Sequence, residues 1–254
     1  MYSQKIPCLS DYGNDCPKCG GTGYIMIKNE IEGYGEIEEA KACPVCKGQK
    51  RTSDATGIPV KYFDVNLTSF DFKIYSANTQ GLQKVINSYF EKYELCKKQN
   101  KGLYLWSKTP GTGKTFLTCC LARSIMMKYD LQMRFVTALD YLRAVAESYN
   151  RQQGTEDTSE IYRECELLVL DDLGTQKNGE WQEQEIFRLI NERQNNGKTM
   201  LFTSNYPPEQ LRLSDRTIDR ILKGSIVLQM PEESIRRMKA QKEQERFLKE
   251  ILGN

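Results

Sequence analysis

Residues 107–115 read Ser107-Lys108-Thr109-Pro110-Gly111-Thr112-Gly113-Lys114-Thr115, a glycine-rich loop that closes on a lysine and a hydroxyl. Consecutive backbone N–H groups can wrap phosphate oxygens only where side chains stay out of the way, so such a loop needs glycine. The lysine then reaches the β- and γ-phosphates, the hydroxyl faces Mg²⁺, and the phosphates rest on a helix N-terminus. Gly111, Gly113, Lys114 and Thr115 meet these requirements. Thr109, Pro110, Gly111, Thr112, Gly113, Lys114, Thr115 and Phe116 are therefore the candidate nucleotide-binding residues, with ATP and Mg²⁺ as the expected ligands. The first glycine of the usual GxxxxGK[ST] pattern is replaced by Lys108. That glycine eases the exit from a strand, so its loss leaves loop geometry as a question without removing a phosphate ligand.

The flanks agree with this reading. Leu103-Tyr104-Leu105-Trp106 is a short apolar strand ahead of the loop, and residues 115–129 form a helix with Leu117, Leu121 and Ile125 on one face. A second signal lies about 55 residues downstream, a common separation for such pairs. There Leu167-Leu168-Val169-Leu170, a fully apolar strand, runs into Asp171 and Asp172. Asp171 would join Thr115 at the magnesium ion, and Asp172 would polarise the attacking water. The third signal is Thr203-Ser204-Asn205 at the end of the next strand. Ligands of open parallel sheets sit beyond the carboxyl ends of strands, which puts Asn205 where it can orient water or the γ-phosphate.

Strands and helices alternate through the same region. Strands are expected at 133–137, 199–203 and 225–230, and helices at 80–98, 139–149, 180–195 and 232–252. Ile186, Leu189 and Ile190 face inward on the helix at 180–195, while Ile235, Met238, Phe247, Leu248 and Ile251 are the apolar positions of the last. This alternation predicts an α/β fold, a parallel sheet covered by helices on both faces.

Composition narrows the chemistry. The 254 residues carry 36 Lys+Arg against 34 Asp+Glu, so bulk charge does not mark a nucleic-acid binder and any such contact must come from a local patch. Histidine is absent, which excludes Ser-His-Asp and Cys-His nucleophile pairs, HExxH metalloproteases and histidine-containing zinc fingers. General-base work falls to carboxylates, and a zinc site must be built mainly from cysteine. No apolar run approaches the 18–20 or so residues of a membrane span, and residues 1–15 lack the basic and apolar regions of a signal peptide. A cytoplasmic protein without membrane contact is expected.

Of nine cysteines, four fall in two CxxC pairs, Cys16-Pro17-Lys18-Cys19 and Cys43-Pro44-Val45-Cys46, with glycine at Gly20 and Gly48 just after them. Two such turns supply the four thiolates that structural Zn²⁺ prefers, with no open position for catalysis. Residues 24–27 and 36–38 can pair as a hairpin between them, around Glu32-Gly33-Tyr34-Gly35. So short a segment buries little core, and the metal would supply its folding free energy. Iron–sulfur ligation and a redox dithiol are the rival readings. Cys8, Cys96, Cys119, Cys120 and Cys165 read as buried small hydrophobes or bystanders. The expected domains are 1–52 (zinc-binding), 53–79 (linker and nucleotide-base-side segment) and 80–254 (ATPase).

Together these residues resemble the AAA+ ATPases of the DnaC/DnaI helicase-loader type. The likeness covers residues 58–254 and is sharpest over 167–208, which holds DDLG, INER, NGK and TSN; the cysteine-rich N-terminus also looks like the DnaI arrangement. The resemblance implies an AAA+ P-loop core that loads a DnaB-type hexameric helicase onto single-stranded DNA, with ATP hydrolysis as a release switch and the cysteine module docking on the helicase. It implies that Arg220 is the arginine finger for a neighbouring subunit, with Arg216 as runner-up, so that hydrolysis depends on self-assembly. It makes Arg236 the sensor-2 contact to the γ-phosphate, with Arg237 adjacent. Asp172 stands where many AAA+ enzymes have glutamate, which implies slow turnover. The segment after Asn205 is too short for a full helical lid plus a winged helix, which argues against a duplex-reading initiator of the DnaA kind. Lys97, Lys98, Lys101, Arg143, Arg151 and Tyr149 are candidate DNA contacts. Two other functions compete: a transposition helper ATPase of the IstB type, and a zinc adaptor that binds nucleotide with negligible hydrolysis.

Overall fold

The computed structural model describes residues 24–31, 35–42, 56–149, 159–175 and 179–252, and the chain divides into units of residues 1–64 and 65–254. In the first unit, β1 (Tyr24–Ile31) and β2 (Gly35–Ala42) pair antiparallel from Tyr24↔Ala42 to Ile31↔Gly35. The hairpin expected between the cysteine pairs is therefore present, and longer than the sequence pattern indicated. Cys8, Cys16, Cys19, Cys43 and Cys46 lie outside the described residues.

In the second unit, α1 (Gln80–Glu91) and α2 (Tyr93–Lys98) precede β3 (Gly102–Trp106), α3 (Lys114–Tyr129), β4 (Met133–Thr137) and α4 (Ala138–Tyr149). Then follow α5 (Glu160–Glu164), β5 (Leu167–Leu173), α6 (Glu180–Asn195), β6 (Thr199–Ser204), α7 (Asp215–Gly224), β7 (Ser225–Gln229) and α8 (Ile235–Leu252). The sheet is parallel in the order β4-β5-β6-β3-β7. The chain leaves β3, crosses to the far edge at β4, and returns through β5 and β6 to lie beside β3 again. The carboxyl ends of β3, β5 and β6 thus adjoin, which is where an open α/β sheet binds its ligand.

Successive strand residues point to opposite faces, and here both faces are covered. Tyr104, Val136, Leu168, Leu170, Met200 and Phe202 form one buried cluster with Tyr141, Leu142 and Val145 of α4, Ile186, Leu189 and Ile190 of α6, and Ile221 of α7. The alternate residues Leu103, Leu105, Leu167, Val169 and Leu201 are equally buried, and α3 packs against β3, β5 and β6 with Leu117, Leu121 and Ile125 fully inside. Each such side chain contributes about 1.5–3 kcal/mol over leaving it in water, so the uninterrupted apolar strands dictate a two-sided cover.

Three expectations are corrected. The stretch 80–98 is two helices, broken at Lys92. The break lets Tyr89 and Tyr93 both go inside, their ring centroids 6.1 Å apart and Tyr93 lying 5.2 Å from Tyr129. The terminal helix starts at Ile235, and its apolar residues Phe247, Leu248 and Ile251 are exposed. The strand expected at 167–170 continues through both aspartates to Leu173. Of the other cysteines, Cys119, Cys120 and Cys165 are buried and Cys96 is half-buried, all as free thiols. Among the described residues no helix is long and apolar enough to cross a membrane.

Candidate nucleotide site

Strand β3 ends at Trp106 and hands the chain to the 107–115 loop. Gly111 and Gly113 take φ of +79° and +94°, a region that side chains disfavour. Space forbids side chains there too. A Cβ on Gly111 would stand 2.9 Å from both Arg236 Cβ and Ser234 Oγ, and one on Gly113 would stand 3.2 Å from Tyr75 Oη. Lys108 needs no such freedom. Among the described residues only Asn100, Asp130 and Asp172 combine a side chain with positive φ. The missing first glycine therefore costs the loop no backbone strain.

Helix α3 begins at Lys114, and its N-cap, Gly113, has no side chain to offer its first N–H groups. A helix N-terminus of this kind turns N–H groups and the positive end of its dipole toward an anion. Lys114 is buried, and its Nζ donates to Ser107 Oγ at 2.8 Å and to the Ser107 and Thr109 carbonyls at 3.4 Å. Ser107 Oγ also donates to the Thr109 carbonyl at 2.9 Å and lies 2.8 Å from Thr112 Oγ1. Burial pushes the Lys114 pKa down, and the charges of Asp172, Glu232 and Asp171 pull it back up.

The two aspartates sit on a β-bulge. Between the pairs Leu170↔Phe202 and Leu173↔Ser204, β5 carries one residue more than β6. Asp172 takes up the distortion with φ +59°, and its N–H donates to Thr203 Oγ1 at 2.9 Å. Thr203 Oγ1 in turn donates to Asp171 Oδ1 at 2.5 Å, and Thr115 Oγ1 donates to the same carboxylate at 2.9 and 3.2 Å. Asn205 Nδ2 lies 3.5 Å from Asp172 Oδ1. Burial raises the Asp171 pKa, the Thr203 and Thr115 hydroxyls oppose that rise, and the Asp172 charge adds to it. A hydroxyl and a carboxylate side by side are the hard oxygen donors that Mg²⁺ takes from protein while phosphates and water complete its shell. The donor set at Thr115 and Asp171 therefore fits magnesium, and the loop fits a phosphate chain.

The structure thus brings Lys114, Thr115, Asp171, Asp172 and Asn205 to the ends of three adjacent strands, with the Arg236 N–H donating to the Gly111 carbonyl at 3.2 Å. Arg237 contacts the Ser234 hydroxyl instead, through its N–H at 3.3 Å. No hydrogen bond or ion pair among the described residues joins Arg220 to this cluster. Its guanidinium lies over the Phe187 ring at 5.4 Å, with Arg216 over the same ring at 4.2 Å. The Lys97 ammonium, a candidate DNA contact, is paired with Glu166 at 2.9 Å, and Arg143 with Asp140 at 3.0 Å. Arg151 lies outside the described residues.

Sequence reasoning missed Thr203 as a participant, although the Thr-Ser-Asn triplet held the signal. It also missed the aromatic wall beside the loop, where Phe70 stands 5.7 Å from Phe116 and the Tyr75 hydroxyl donates to the Thr112 carbonyl at 2.5 Å. Thr203→Val keeps the side-chain shape and removes the one hydroxyl shared by both aspartates. A hydrogen bond to a charged group contributes about 1.5–3 kcal/mol, so ATP turnover is expected to fall about 10- to 100-fold. Steady-state phosphate release checks this, and an unchanged rate would remove Thr203 from the site.

Comparison with known proteins places this geometry in a family. The family described as IstB-like ATP binding protein matches residues 52–244. Among solved structures, the DnaC helicase loader superposes with TM-score 0.60 at 23% identity, covering 68% of this chain and 100% of that one. DnaI superposes with TM-score 0.59 at 21% identity, covering 69% and 96%. At these identities the likeness is one of fold. The chromosomal replication initiator protein DnaA of Streptococcus equi subsp. zooepidemicus is 27% identical over 129 residues, 49% of this chain. The matched region spans only 28% of that relative's length. The fold, the phosphate loop and the extent of the family match lead to one assignment: the chain belongs to the IstB-like ATP-binding proteins, an AAA+ family.

Proposed function

We propose that the chain is an ATP-dependent loader of a DnaB-type hexameric replicative helicase onto single-stranded DNA, working in the cytoplasm, with ATP binding and hydrolysis as its assembly and release switch. The observation that carries the ATPase part is the hydrogen-bonded run Thr115–Asp171–Thr203–Asp172 beside a helix whose N-cap is Gly113. When bound, Mg²⁺ supplies positive charge to the β- and γ-phosphate oxygens. Thr115 and Asp171 would hold it, and Lys114 would turn from Ser107 to the phosphates. Asp172, set by the bulge, would orient the attacking water with Asn205 beside it. Arg220 would act on a neighbour's nucleotide, and the shared Phe187 ring gives Arg216 the same opportunity.

The loader part is supported by two features: the common fold with DnaC and DnaI over nearly the whole of those chains, and a cysteine-rich segment that lies ahead of the family match. In this reading Cys16, Cys19, Cys43 and Cys46 hold Zn²⁺ and dock the helicase. The family description favours a second reading, a transposition helper that acts with a transposase on duplex DNA.

A pulldown with purified host replicative helicase separates the two. The full chain is expected to carry about one zinc and to capture helicase in the presence of ATP. Cys16→Ser/Cys43→Ser is expected to lose both zinc and capture while its ATP binding persists. Capture of a transposase–duplex complex, with no helicase retained by the full chain, would overturn the loader reading in favour of the second.

A further inference from the structure

Two adjacent carboxylates just ahead of α8 each accept from a pair of backbone N–H groups, Glu232 also from Gln229 Nε2 at 3.2 Å. Glu232 accepts from the Lys108 N–H at 2.9 Å through Oε1 and from the Thr109 N–H at 2.7 Å through Oε2. Glu233 accepts from the Ser76 N–H at 2.9 Å through Oε2 and from the Ala77 N–H at 2.9 Å through Oε1. One glutamate therefore grips the entry of the phosphate loop, and the next grips the segment that follows Tyr75, whose hydroxyl bonds to the loop at Thr112. The residues immediately after them press on the loop. Arg236 N–H donates to the Gly111 carbonyl, and Ser234 and Arg236 fill the space that a side chain on Gly111 would need.

We propose that Glu232 and Glu233 are positioning residues for the nucleotide: a double latch that fixes Arg236, and α8 behind it, against the phosphate loop. The inference rests on the reading of 107–115 as a nucleotide site. Four charge-assisted hydrogen bonds, made by both oxygens of each carboxylate, define position far better than single contacts do. A neutral amide cannot reproduce them, because one of its two terminal atoms is a donor and would face another donor. Glu232 holds the loop entry from outside through the N–H of Lys108, the residue that stands where the usual pattern has glycine.

If Arg236 is the γ-phosphate contact that the resemblance implies, it distinguishes ATP from ADP, and that difference is the readout. In the full chain, Glu232→Gln, Glu233→Gln and the double variant are titrated with fluorescent ATP and ADP analogues, alone and combined with Arg236→Ala. The double variant is expected to lose about tenfold in affinity for the ATP analogue and to change little toward ADP. In the Arg236→Ala background the same substitutions should add almost nothing, because the group they position is gone. Thermal midpoints confirm folding, and the single variants carry the test if the double variant is unfolded. Equal losses for ATP and ADP, or full additivity with Arg236→Ala, would overturn the latch. Unchanged affinities in variants of a chain that binds ATP would overturn it while leaving the nucleotide reading intact. A wild-type chain that binds neither analogue would overturn both.

Discussion

Asp171→Asn is expected to abolish Mg²⁺-dependent ATP hydrolysis and, in the same molecule, to raise thermal stability measured without nucleotide. The first effect follows from the proposed role. Metal-borne charge stabilisation of the transferring phosphoryl group is of the order of 4 kcal/mol, so its loss costs about 10³-fold in turnover. The second follows from burial. Asp171 is 7% exposed, and desolvation raises its pKa despite the Thr203 and Thr115 hydroxyls. The folded chain therefore keeps this proton to higher pH than the unfolded chain does. Stability from this group falls as pH rises from the unfolded carboxylate range through the folded value, and at neutral pH the charge is a cost. Asparagine removes the charge and keeps one acceptor oxygen for a threonine hydroxyl. Thermal unfolding between pH 4 and 8 checks both parts: the gap between variant and wild type should widen as pH rises and vanish at the acid end. A lower midpoint at neutral pH would mean that the threonine hydrogen bonds outweigh desolvation. Retained turnover would remove Asp171 from the metal site.

The parts of this site that depend on local pattern were readable in the sequence. Buried parallel strands are apolar on both faces, so 103–106, 167–170 and 199–203 stand out as runs, and their ends mark the site. Helices α3 and α6 repeat their apolar residues at helical spacing, which identified Leu117, Leu121, Ile186 and Leu189 as core. What stayed hidden depends on register or on contacts far along the chain. The role of Thr203 exists only because β6 pairs with a bulged β5, and no periodicity announces a bulge. Glu232 meets residues 123 and 124 positions away and Glu233 residues 156 and 157 positions away, in a segment that reads as an ordinary charged helix start. The end of α8 failed in the opposite sense. Its apolar pattern is real, but the described residues bring nothing to cover Phe247 and Ile251. Periodicity reports a face suited to burial, whereas burial itself needs a partner surface.

Arg193 is where the largest loss of stability is expected. It lies in the last turn of α6, within a motif quoted for its resemblance but given no role, and it is completely buried. Nη1 donates to the carbonyls of Tyr162, Arg163 and Cys165 at 2.8, 3.1 and 2.8 Å, and Nη2 to those of Glu166 and Thr199 at 3.3 and 2.8 Å. The side chain thus ties α6 to the approach of β5 and to the first residue of β6, the two strands that carry Asp171 and Thr203. Burial lowers its pKa, yet a guanidinium stays charged in any folded protein. Replacing a buried ion pair by apolar residues is often harmless because both charges leave together. Here the partners are backbone carbonyls, and no substitution removes them. Arg193→Met keeps much of the volume but strips these acceptors of their donors, at about 1–3 kcal/mol for each one left buried and unpaired. A net loss of about 3–5 kcal/mol is expected, against a total stability of roughly 5–15 kcal/mol for a typical domain. Arg193→Lys should recover less than half of it, since one ammonium cannot span acceptors arranged for a planar fork. Urea unfolding of the full chain measures both. If Arg193→Met unfolds within about 1 kcal/mol of wild type, water has reached those carbonyls and the guanidinium is not what joins the strands.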